Sequence, residues 1–108
     1  MSSSLGEFEQ LVLLALMRLG DGAYGASIER EIEEHADRQV SLAAVYTTLM
    51  RMEQKGLVES RIGDPSPQRG GRRKKLYRIL PSGQRELATS LSALRRMTKG
   101  LTPRLELR

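Results

Sequence analysis

A mainly α fold with a small β-hairpin is predicted by three features of the sequence. Apolar residues recur at three- and four-residue spacing in successive segments that end near Lys55. The period then changes to two over residues 57–62 and 75–80, on either side of a loop rich in glycine and proline. Pro81 follows and opens a further helical segment, with leucines at positions 87, 91, 94 and 101.

Ser4 and Glu7 form a capping box, so the first helix is expected to begin near Leu5 and to stop before Gly20-Asp21-Gly22. Phe8, Leu11, Val12, Leu14, Ala15 and Leu19 make one apolar stripe, and Leu13, Leu16 and Met17 fill the other side. A helix apolar all round must be covered on more than one face. In so short a chain, that second cover is expected from another copy. The second helix reads from Tyr24 to Ala36, with Ile28 and Ile32 inward and Glu29, Arg30, Glu31, Glu33 and Glu34 toward water. Ser41 caps a third helix from Leu42 to Lys55, ended by Gly56, with Leu42, Val45, Leu49 and Met52 as its buried stripe.

Leu57–Ile62 and Lys75–Leu80 read as the strands, with Val58, Ile62, Tyr77 and Ile79 available to pack inward. From Pro81 a helix of about 18 residues carries Leu87, Leu91, Leu94 and Leu101 as a coiled-coil-like stripe, with Thr98 in the remaining seam position. Docking of this stripe on its own core is the alternative to docking on a partner. Three helices, a two-stranded wing and a C-terminal dimerisation helix compose a winged helix-turn-helix. Residues 1–80 would form the winged module and residues 81–108 the dimerisation helix and tail, within one compact unit.

Composition narrows the chemistry. The chain has 108 residues, one domain's worth, and no cysteine, which excludes disulfides, thiolate metal sites and cysteine nucleophiles. The longest apolar run, Leu11 to Met17, is far short of the roughly 20 residues of a membrane span. A soluble, cytoplasmic protein is expected, with no membrane partner. The only histidine, His35, shares a helix face with Glu31, but no second histidine or cysteine completes a metal site. Gly70-Gly71 lacks the lysine and hydroxyl spacing of a phosphate loop. Neither an enzyme, a metal nor a cofactor is expected.

The formal charge of +5 is unevenly placed. Residues 1–40 carry −5 and residues 41–60 are balanced, whereas residues 61–80 carry +6 and residues 81–108 carry +4. Basic charge concentrated in one stretch fits a polyanion partner, and here double-stranded DNA. On the third helix, Ala43, Ala44, Thr47, Met50, Arg51 and Gln54 face outward, with Tyr46 on a flank. Small residues near the helix start let the backbone approach a duplex, Thr47 can meet a base edge, and Arg51 can reach guanine or phosphate. Ser41 and the free N–H groups of the helix start can hold a phosphate. Arg69, Gly70, Arg72, Arg73, Lys74 and Lys75 form a basic wing tip suited to the sugar-phosphate backbone. Tyr24 could hydrogen-bond a phosphate or serve as a partly buried structural residue. RNA binding would favour more exposed aromatics than this chain holds. A winged helix used as a protein-interaction subunit is the main rival reading.

The segments Gly6–Leu16 (GEFEQLVLLAL), Ala23-Tyr24-Gly25 and Val40–Val58 (VSLAAVYTTLMRMEQKGLV) resemble PadR-type repressors, as do Gly70–Lys74 (GGRRK) and Tyr77–Gly83 (YRILPSG). The resemblance covers roughly residues 5–87. It implies a winged-helix homodimer that represses transcription, with the third helix in the major groove and the wing on flanking backbone; a two-fold dimer is in turn expected to read a pseudo-palindromic operator. It also implies dimerisation of the C-terminal helix against the partner's first helix, in agreement with the interface expected from the apolar patterning, Leu13, Leu16, Met17, Leu87, Leu91, Leu94 and Leu101. The chain departs from the family in its short C-terminal region, which reduces the room for a small-molecule effector. It also departs in Leu80-Pro81, where a threonine cap usually precedes the proline.

Overall fold

The computed structural model describes residues 5–63 and 74–107. Its elements are α1 (Glu7–Leu19), a 3-10 turn (Gly20–Gly22), α2 (Gly25–Ala36), α3 (Leu42–Gln54), β1 (Val58–Ile62), β2 (Lys75–Ile79), α4 (Pro81–Thr98) and a short α5 (Thr102–Leu105). The predicted mainly helical winged fold with a two-stranded antiparallel hairpin is the one observed.

Local chemistry sets the element ends. α1 starts two residues later than the capping-box reading suggests, because Gly6 is the cap residue and its N–H donates to the Glu9 carboxylate at 2.9 Å. Ser4 lies outside the described residues. Ahead of α2, Tyr24 is extended, and the Ser27 hydroxyl accepts from its N–H at 3.0 Å. Ser41 Oγ accepts from the Ala44 N–H at 3.0 Å, the expected cap of α3. α3 gives way at Gly56, whose φ of +76° suits glycine.

β1 and β2 pair antiparallel, with Val58 opposite Ile79 and Ser60 opposite Tyr77. β2 also takes a bridge to Ala23, whose carbonyl accepts from the Tyr77 N–H at 2.8 Å. This ties the hairpin to the entry of α2. Val58 and Tyr77 are buried beneath the hairpin, as expected. Ile62 is instead exposed, because the end of β1 runs beyond the helices that would cover it.

The core joins Val12, Leu13 and Leu16 of α1 to Ile28, Ile32, Val45, Leu49 and Met52. Here one expectation is corrected. Leu13 and Leu16 are 0% and 1% exposed within the single chain, so α1 finds its second cover at home. The reason is that α1 is central: it touches α2, α3, β2 and α4. Leu87, at 2% exposure, likewise docks on its own core. Leu42 departs the other way, standing exposed at the first position of α3.

Candidate nucleic-acid interface

The outer face of α3 presents Ala43, Ala44, Thr47, Met50 and Gln54 to solvent. Apart from the flanking Arg51, no charged side chain stands on this face, so a groove could receive it without stripping ions of water. Tyr46 is partly exposed, and its ring lies over Gly25 at the start of α2. A β-carbon at residue 25 would come within 2.4 Å of the Tyr46 Cζ, so the glycine permits the two helices of the helix-turn-helix to close on each other.

Beside this face the root of the wing meets α2. Lys74 Nζ lies 3.9 Å from the centroid of the Tyr24 ring. The Lys74 ammonium beside it holds the Tyr24 phenol below its ordinary range, outweighing slight burial, and Arg30 adds to the effect. Tyr24, Arg30 and Lys74 thus form one cationic corner. From the sequence alone, Arg30 is one more charge on a wet helix face. Lys75 Nζ stands 5.8 Å from the centroid of the Tyr77 ring, two residues along β2. Arg69, Gly70, Arg72 and Arg73 lie outside the described residues.

Arg51 is half exposed and already has partners within the chain. Its Nε donates to Glu9 at 3.3 Å and its Nη2 to Thr48 at 3.4 Å, while Lys55 Nζ reaches the same Glu9 oxygen at 3.0 Å. In the free chain the guanidinium thus has its carboxylate partner on α1. Sequence spacing hides this partner, because Glu9 sits 42 positions upstream, on a helix that reads as self-contained.

Away from that face, α4 carries Leu91, Leu94 and Met97 exposed, Met97 at 76%. Met17 is half-exposed and Leu101 partly buried. A groove of about 250 Å³ runs between α1 and α2 over Leu11, Leu14, Ala15, Ile32 and Ala36. Arg18, Glu31 and His35 rim it, with Arg18 donating to Glu31 at 2.6 Å. Glu31, Glu34 and His35 bring their donor atoms within 4.8 Å of one another, but Arg18 already neutralises Glu31. Among the described residues no helix is long and apolar enough to cross a membrane.

A sequence profile described as the Transcriptional regulator PadR-like family matches residues 13–89. The chain belongs to the PadR-like family. Its members are transcriptional regulators, not enzymes. Among solved structures, a PadR-like regulator from Bacillus cereus matches with a TM-score of 0.72 at 21% identity, over 94% of this chain and 93% of that one. A PadR family regulator from Clostridium difficile matches with a TM-score of 0.71 at 23% identity, over 91% of this chain and 98% of that one. Bacillus subtilis PadR, solved in complex with operator DNA, matches with a TM-score of 0.65 at 23% identity. That match covers 78% of this chain but only 46% of the longer relative. No curated protein matched the chain.

Proposed function

We propose that this PadR-like regulator is a sequence-specific DNA-binding repressor that acts as a homodimer on a pseudo-palindromic operator. The observation that carries the reading is the juxtaposition of the small, nearly uncharged outer face of α3 with the cationic corner of Tyr24, Arg30 and Lys74. One surface suits a groove and the other suits the flanking phosphates. The operator complex of Bacillus subtilis PadR supports the choice of ligand.

In this reading Ala43 and Ala44 let the helix start approach, and Thr47 meets base edges with Tyr46 beside it. Ser41, already engaged as a cap, orients the α3 N-terminus toward a phosphate. The wing, with Arg69, Gly70, Arg72, Arg73, Lys74 and Lys75, follows the backbone. Met17, Leu91, Leu94 and Leu101 supply the dimer contact, joined by Met97, while Leu13, Leu16 and Leu87 are consumed by the core. The partner's acceptor is the apolar groove of α1 and α2, whose acidic surroundings in residues 1–40 complement the basic C-terminal segment in sign.

The deciding experiment is footprinting of the purified protein on its own upstream region at several salt concentrations. Protection of a two-fold site that weakens with salt is the expected result. A winged-helix subunit that binds only proteins would give no salt-dependent protection, and the reading would then fail.

A further inference from the structure

Glu9 is an unusual residue in this fold. It belongs to α1, at the heart of the core, yet it is a carboxylate only 7% exposed. Three donors converge on it: the Gly6 N–H at 2.9 Å, Lys55 Nζ at 3.0 Å and Arg51 Nε at 3.3 Å. Two of these are the only basic side chains of the α3 segment, residues 41–56. Arg51 is half exposed and Lys55 about a third exposed, so both cations stand at the surface while their counter-charge is underneath.

We propose that Glu9 is a positioning residue, which holds Arg51 and Lys55 against α1 so that the recognition helix puts neither of its cations on a phosphate. The inference rests on the DNA-binding reading above. Pulling either cation onto a phosphate would leave a nearly buried carboxylate short of a partner, and an uncompensated buried charge is costly. The restraint therefore acts before DNA arrives. Non-specific affinity comes chiefly from phosphate neutralisation. With its two cations held back, α3 leaves charge neutralisation to the wing and discrimination to Thr47 and its neighbours. Glu9 thus lowers the phosphate-driven affinity for all sequences alike while touching no DNA itself.

The test uses the full chain, a duplex carrying the footprinted site, and a random duplex of equal length. Glu9→Gln keeps the shape and the acceptor for Gly6 but removes the charge that holds the two cations. Freed cations would bind phosphates, each adding about 0.9 to the steepness of log K against log salt. We expect a steeper slope and roughly tenfold tighter binding to both duplexes at low salt. A loss of folding alone would weaken both duplexes and could not steepen the slope. Adding Arg51→Gln and Lys55→Gln to Glu9→Gln should return the slope to that of the wild type. Should Glu9→Gln fold poorly, Arg51→Gln in the wild-type background decides: a held arginine leaves the slope as it was, and a phosphate-bound one flattens it by about 0.9 per protomer. An unchanged slope in Glu9→Gln, or a flattened one in Arg51→Gln, overturns the inference while leaving the DNA-binding reading intact. Failure of the wild type to bind either duplex would overturn that reading itself.

Discussion

Single residues decide how tightly the two reading elements are joined. Gly25 lets the Tyr46 ring lie against the first turn of α2, and an added methyl there meets the ring itself. Gly25→Ala should therefore destabilise by roughly 1–3 kcal/mol, the usual cost of overpacking. Denaturant unfolding measures it, and a neutral effect would mean that Tyr46 swings freely. Glu9 gives a second residue-scale expectation. Burial pushes its carboxyl up, but the Gly6 N–H, Lys55 and Arg51 outweigh this and hold it below its ordinary 4.5. A carboxyl depressed on folding contributes stability that is present above its unfolded value and lost as pH falls through the folded one. Acidification below about 4.5 should lower the unfolding midpoint, and Glu9→Gln should show a smaller drop over the same range. Parallel curves for the two proteins would remove Glu9 from the acid response.

At the scale of elements, α3 and the wing are expected to answer salt differently. If the wing follows phosphates, changing Arg72, Arg73 and Lys74 to Ala should flatten the salt slope and weaken all sequences alike. Thr47→Ala should instead narrow the gap between operator and random DNA, by about 1–3 kcal/mol if its hydroxyl or methyl reads a base well. Titrations on both DNAs separate the two, and a wing variant that keeps the wild-type slope would reverse the assignment. Elements are legible in the sequence wherever the signal is local. The change of period at Leu57, the Ser41 cap and Pro81 at the start of α4 each act within a few residues, and the observed ends of α3, β2 and α4 follow them. What stays hidden is long-range. Nothing near Leu13 or Leu16 reveals that α4 and β2 return to cover α1, and nothing near Arg51 points to a carboxylate on the first helix. Arg30 is equally opaque, since only the hairpin's return brings Lys74 to Tyr24 beside it.

For the whole molecule the open question of assembly falls on α4, which leaves the core after Leu87 and helps stretch the chain to 54 Å in its longest dimension. Leu94 is 53% exposed in the single chain, so a charge there should leave the monomer's own packing in place. The same charge in a dimer contact would be buried without a partner, which is strongly unfavourable. Leu94→Glu is thus expected to keep the helical circular dichroism of the wild type while light scattering falls from about twice the 12.1 kDa chain mass to that mass itself. Two-fold symmetry in the protein should be mirrored in the DNA, with half-sites about 34–36 Å apart, one turn of the duplex. A monomeric variant still carries one wing and one α3, so it should retain weak, salt-sensitive binding to any duplex and lose the two-fold footprint. A wild type that scatters as a stable monomer, or protects one asymmetric half-site at saturation, would separate this chain's mode of action from a dimer altogether.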